Sequence, residues 1–330
     1  MFLTVVLLLV AAVAIYLSCE WFVNAVEWLG ARMNVGTVAV GTVLAAVGTA
    51  LPESVVTFVA VVFGDSPARK DIGVGAAMGG PLVLSTLAYA TIGVLLAIST
   101  KSLFTKLPGR RELISDQRWF MVIFIAKLGL GLVAFSWKPW LGFGFLAAYG
   151  VYAYRELRDS REDGAHGTDD LEALKLQPRA ARPATWAILV QTIATLAIIF
   201  VASEVFVAQL EDIGPALGLA PAVVALLLSP VATELPEVLN AVIWVRQGKT
   251  ELAIGNVSGS MMIQATIPSA LGIGFTPWLF DNILIIAGLV TLISIVAMIT
   301  LGRLRKLTSG TLMIGGVVYV GFLATALSLS

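Results

Sequence analysis

A short motif set in the middle of an apolar stretch occurs twice, and it limits what this chain can become. Residues 48–53 read Gly48-Thr49-Ala50-Leu51-Pro52-Glu53, and residues 232–237 read Ala232-Thr233-Glu234-Leu235-Pro236-Glu237. Each copy places a carboxylate directly after a proline. A buried acid is costly in a bilayer and marks a functional site by default. The proline also withholds an N–H from the carbonyl four residues earlier, Gly48 in one copy and Ala232 in the other. Such carbonyls are tolerated only beside other protein or a polar cavity, so both are candidate ligands. Two such sites in one chain suggest an ion pathway.

Composition supports the membrane setting. The chain is 58% hydrophobic and 13% charged, with a mean hydropathy of +0.93, whereas soluble domains carry about 25% charged residues. An all-α integral membrane protein is expected. Zero net charge argues against a nucleic-acid partner. No G-x-x-x-x-G-K-[ST] fingerprint is present, so no nucleotide is expected either. The single cysteine, Cys19, excludes an internal disulfide and reads as inert core. The single histidine, His166, lies in the most hydrophilic loop, which leaves little support for histidine or zinc chemistry. No nucleophile–base set appears, so neither an enzyme nor a resident cofactor is expected. The apolar run from Met1 has no basic leader and reads as a first membrane helix rather than a removed signal.

Stretches long enough to cross the membrane, which takes about 20 residues, fall near 2–29, 35–63, 72–98, 119–136, 139–154, 185–210, 219–245, 252–272, 282–301 and 310–329. These predict ten transmembrane helices, of which 2–29, 35–63 and 219–245 are long enough to be tilted or broken. Charge supports the arrangement: with the first loop cytoplasmic, seventeen of the 21 Lys and Arg lie on the cytoplasmic side. Three lie opposite, and Lys127 alone falls within a span, about midway along it. The positive-inside rule then puts both termini outside, in a multi-pass protein of the plasma (inner) membrane. The polar segment 155–184 reads as a mobile, solvated cytoplasmic linker between halves 1–154 and 185–330.

The halves repeat. Residues 20–53 align without a gap on 204–237, with Glu20 on Glu204, Thr49 on Thr233 and Leu51-Pro52-Glu53 on Leu235-Pro236-Glu237. Further on, Gly75 and Gly79 fall on Gly255 and Gly259. Five helices per repeat is an odd number, so the second copy enters the membrane from the opposite side. Two inverted five-helix repeats are the expected architecture, with a binding site near midplane on broken helices.

That symmetry would bring Glu53 and Glu237 face to face near the midplane. Two carboxylates close together in low dielectric must share protons or bind a cation. Thr49 and Thr233, each four residues before its glutamate, share the same helix face. Asn256, Ser260 and Gln264 form a polar stripe in the second half, where the first half has Ala76, Gly80 and Leu84. Glu234 and Glu237, three apart, share a face; unless a cation lies between them, one of the two should be protonated, which motivates a hypothesis of proton coupling.

These features together resemble the paired repeats of sodium/calcium exchangers in the calcium/cation antiporter superfamily. The repeat motifs correspond to residues 41–84 and 225–264, each G-T-x-L-P-E-like stretch being followed by a G-N-x-x-G-S-like helix start. The resemblance implies alternating access and a central cation site. By position, Glu53 and Glu237 would be the principal ligands. Thr49 and Thr233 would add oxygens, and Ser260 and Gln264 would line the eighth helix. Departures bear on the ion: Ala50 and Glu234 stand where the family usually has Ser, and Ala76, Gly80 and Leu84 replace polar residues. The expected function is secondary antiport of Ca2+ against Na+ or H+, with inorganic cations and lipid as partners. The alternatives are a proton-coupled exchanger that does not use Na+, and a transport-inactive scaffold or sensor.

Overall fold

The computed structural model describes residues 1–32, 45–162 and 171–329, the side chains of 45–49 and 156–162 excepted. Gly48, Thr49 and His166 therefore lie outside the described side chains. The helices are α1 Phe2–Arg32, α2 Ala45–Phe58, α3 Pro67–Val83, α4 Tyr89–Thr100, α5 Arg110–Gly131 and α6 Gly142–Glu162. The second half carries α7 Thr185–Leu217, α8 Pro221–Thr233, α9 Leu235–Arg246, α10 Thr250–Phe275, α11 Asn282–Arg303 and α12 Ser309–Leu329. A π-helical turn, Val59–Phe63, extends α2, and another, Leu84–Ala88, joins α3 to α4. Each of the ten apolar stretches thus carries helix. No strand occurs among the described residues, only an isolated bridge between Lys106 and Thr308.

Five helices in the described residues are long and apolar enough to cross a membrane, and the bent pair α8–α9 makes a sixth. Helices α5, α6 and α10 have 22, 21 and 26 residues, long enough to cross, but carry more polar sequence. Length and composition therefore account for six of the ten expected spans.

Packing interchanges the two halves. Helix α1 runs along α7, its counterpart by sequence, and α5 packs on its counterpart α11. The contact of α2 with α10 has its mate in α8 with α3, and that of α10 with α5 has its mate in α3 with α11. Helices α3 and α10 are the most buried elements and bring both halves to the centre. The Gly75–Gly79 pair explains how α3 comes so close to α8. A Cβ at Gly75 would overlap the Ala222 carbonyl, and one at Gly79 would lie 2.6 Å from the Leu226 carbonyl oxygen.

Three details differ from the expectations. Helix α5 starts at Arg110, well before the apolar run at 119, because Arg110, Arg111, Glu112 and Gln117 are good helix formers. Lys127 consequently sits in the last turns of its helix rather than midway along it. The linker is also not simply solvated. Helix α6 continues to Glu162, and residues 171–184 are docked. Trp28 Nε1 donates to the Glu172 carbonyl at 2.9 Å, and the Lys175 amide donates to Asn24 Oδ1 at 3.0 Å. The Leu176 amide donates to Gln191 Oε1 at 2.8 Å, and Arg32 reaches the Pro183 carbonyl at 2.6 Å. Leu174 is fully buried between α1 and α7 with Trp28 and Ile188. An apolar anchor and four paired backbone groups hold this segment, a pattern that polar composition alone does not reveal.

Candidate functional site: a buried carboxylate pair

The second motif copy breaks its helix. Pro230 and Pro236 remove two N–H donors within seven residues, leaving the Leu226 and Ala232 carbonyls without helical partners. Helix α8 ends at Thr233, α9 begins at Leu235, and the two axes differ by 42°. Glu234 is the hinge residue, with φ −97° and ψ −3°. Pro52, in the first copy, stays within continuous α2.

The break aims polar side chains across the interface between halves. The Thr233 hydroxyl lies 2.8 Å from Glu53 Oε2 and 3.0 Å from Glu234 Oε1. It also lies 3.2 Å from the Ser229 carbonyl. One hydroxyl has one proton to donate, so it cannot satisfy all three acceptors at once. Gln264 Nε2, from α10, donates to both oxygens of Glu234 at 2.9 and 2.8 Å. Glu53, Thr233 and Gln264 are fully buried and Glu234 is 1% exposed.

Two oxygens here lack protein partners among the described residues, Gln264 Oε1 and the hydroxyl of Thr57, one turn beyond Glu53, while the Ser229 hydroxyl faces the Glu53 carboxylate. Buried oxygens without donors are the arrangement that a hard cation completes. Gly80 has no side chain because Gln264 fills that space: a Cβ there would lie 2.5 Å from Gln264 Oε1 and 3.1 Å from Glu234 Oε1. The polar residue missing from the first half is thus replaced in space by one from the second.

Of the residues singled out from sequence, Glu53, Thr233, Glu234 and Gln264 converge. Ala232, 1% exposed, sits one residue before the shared threonine. Ser260 is fully buried one turn before Gln264 on α10, and Glu237 is fully buried in the first turn of α9. Among the described residues no three His, Cys, Asp or Glu side chains are placed to hold a metal ion together. Glu53 and Glu234, from opposite halves, meet through the Thr233 hydroxyl. Sequence symmetry, which pairs Glu53 with Glu237, did not point to this pairing; the two prolines around Glu234 were the available signal. Glu20 and Glu204, matched across the repeats, differ in partners. Glu20 accepts from Tyr16 at 2.7 Å, whereas Glu204 pairs with Arg69 at 3.3 Å beside an Arg69–Glu211 contact of 3.0 Å.

Known proteins agree with this architecture. A candidate antiporter of Alkalimonas amylolytica, CaxA, is 24% identical over 278 residues, covering 83% of this chain and 81% of that protein. The fold is similar to that of an H+/Ca2+ exchanger, CAX, with a TM-score of 0.66 at 14% identity, covering 98% of this chain and 88% of the other. It is also similar to the sodium-calcium exchanger NCX_Mj, with a TM-score of 0.60 at 20% identity, covering 98% of each chain. The sodium/calcium exchanger protein family is matched over residues 3–157 and 187–327. With both halves matched, the chain belongs to that family of membrane cation antiporters.

Proposed function

We propose that the chain exchanges Ca2+ against a monovalent counter-ion, in the first place H+, at the Glu53–Thr233–Glu234 cluster. The observation that carries this reading is the single Thr233 hydroxyl placed between carboxylates from opposite halves, at 2.8 and 3.0 Å. Without a cation, two such carboxylates repel, and a proton held by one of them relieves the repulsion. Ca2+ neutralises both and recruits neutral oxygens from Gln264, Ser229 and Ala232. Protons and Ca2+ then compete for the same atoms, which is the thermodynamic requirement for antiport. Because each half supplies one carboxylate, rocking one half against the other changes the side to which the pair is exposed. The halves are 1–154 and 185–330, in the plasma membrane with both termini outside. Driven by an ion gradient, the process needs neither a nucleotide nor a resident cofactor.

Radiolabelled Ca2+ uptake into proteoliposomes, with Na+ and H+ gradients imposed separately, tests this. Uptake is expected to follow the H+ gradient, to weaken as the loading side is acidified, and to be lost in Glu53→Gln. Glu234→Gln is expected to flatten the pH dependence. Unchanged uptake in Glu53→Gln, or an unaltered pH profile in Glu234→Gln, would sink the reading.

A further inference from the structure

Away from the carboxylate site, a second polar cluster ties the two halves together. Arg69, in the first turn of α3, donates from Nε to Glu211 at 3.0 Å and from Nη1 to Glu204 at 3.3 Å. The Ser66 hydroxyl, which caps α3, donates to the same Glu211 at 2.8 Å. Glu204 and Glu211 lie two turns apart on one face of α7. Each of these charges has a mate of like sign in the other half. The alignment that sets Glu20 on Glu204 also sets Glu27 on Glu211. The one that sets Gly75 on Gly255 sets Arg69-Lys70-Asp71-Ile72 on Lys249-Thr250-Glu251-Leu252. The mates are not joined. Among the described residues Lys249 and Glu27 form no ion pair, and Glu20 accepts from Tyr16. Helix α3 packs on α7, whereas the mate helices α10 and α1 barely touch.

The two sets lie at opposite ends of the bundle. Gly109 abuts the Glu251 side chain, and the Phe280 amide donates to the Gly131 carbonyl at 3.0 Å. Helix α10 therefore starts beside the start of α5 and ends beside its end. The α3–α4 span, Pro67–Thr100, finishes on the Gly109 side and so begins on the other. In an inverted repeat the two halves hold different conformations at any instant, and their exchange reverses access. A contact made by one half in one state is then made by its mate in the other. We propose that Arg69 with Glu204 and Glu211, and Lys249 with Glu20 and Glu27, are two latches at opposite membrane faces that close in alternation. The present structure is the state with the Arg69 latch closed. The planar fork of arginine engages two acids at once, which an ammonium does less well, so the resting protein favours this state. The inference rests on the antiport reading only for the existence of two access states.

The test is spin-label distance measurement in the full chain, carried in lipid nanodiscs with Cys19→Ser. One label pair, Ala68→Cys with Ala216→Cys, reports the Arg69 latch. Another, Gln247→Cys with Ala31→Cys, reports the Lys249 latch. Each pair is expected to show a short and a long population, the short one dominant at the Arg69 end and minor at the Lys249 end. Arg69→Ala should shift the ratio about fivefold toward the state closed at Lys249, the scale of a partly exposed ion-pair network. Lys249→Ala should shift both distances the other way, and Lys249→Arg should shift them as Arg69→Ala does. Distances that do not interchange, or Lys249 variants that leave both unchanged, overturn the proposal. The readout needs no flux, so the two readings fail separately. Interchanging distances without any Ca2+ flux would sink the antiport reading and leave the latches standing. Ca2+ flux with one fixed distance at the Lys249 end would do the reverse.

Discussion

The two copies of the motif share Thr, Leu, Pro and Glu and fold differently. Around Pro52 the helix is continuous; around Pro236 it breaks by 42°. The cause is local. The first copy has Ala46 and Ala50 where the second has Pro230 and Glu234. Alanine is the best helix former and proline the worst. One missing donor is absorbed within α2, whereas two within seven residues separate α8 from α9. The consequence is functional, because the break turns Thr233 and Glu234 toward Glu53. The first half contributes one carboxylate on an unbroken helix, and the second contributes the hinge and most of the polar shell.

Variants at matched positions probe that asymmetry. The largest effect is expected at the carboxylate that pairs across the halves. Glu53→Gln should lower Ca2+ flux in proteoliposomes by about 1000-fold, the upper scale for a buried charge that loses its partner. Next comes the hinge. Pro236→Ala returns a donor to Ala232 and should reduce flux roughly 100-fold by misplacing Thr233 and Glu234. Pro52→Ala should be much milder, and equal losses in both variants would erase the distinction between the copies. A smaller effect is expected where the first half makes room for the second. Gly80→Ser should lower stability by about 1–3 kcal/mol through overlap with Gln264, read as a fall in melting temperature. Adding Gln264→Ala should recover part of that loss, and strict additivity would show that the two sites do not meet. The smallest effect is expected far from the pair. Arg69→Ala removes partly exposed ion pairs to Glu204 and Glu211, and should cost less than about 1 kcal/mol in thermal unfolding.

The same asymmetry shows what could be read before folding. The lopsided polar lining, Asn256, Ser260 and Gln264 against Ala76, Gly80 and Leu84, was visible as a difference in composition between matched helices. Its spatial meaning was not, because Gln264 reaches into the space that Gly80 leaves empty. Likewise 155–184 reads as solvated from its charges. Asn24, Trp28 and Gln191, which bind its backbone, lie on two helices that sequence spacing alone does not bring together.

What the amino-acid order determined by itself was the solvent, the repeat and the chemistry. Apolar stretches of membrane length, a charge bias across loops, and paired Pro-Glu motifs at constant offset need only periodicity and composition to be recognised. What the tertiary structure alone decided was the pairing. A 3.6-residue repeat says which side chains share a helix face, but not how far one helix is rotated or shifted against another. That relative placement joins Glu53 to Thr233 and Glu234, and it brings Arg69 to Glu204 and Glu211. Carboxylates three apart on one side of a broken helix are equivalent in sequence terms. The 42° bend at Glu234 sets that residue, not Glu237, at the hinge between two helices.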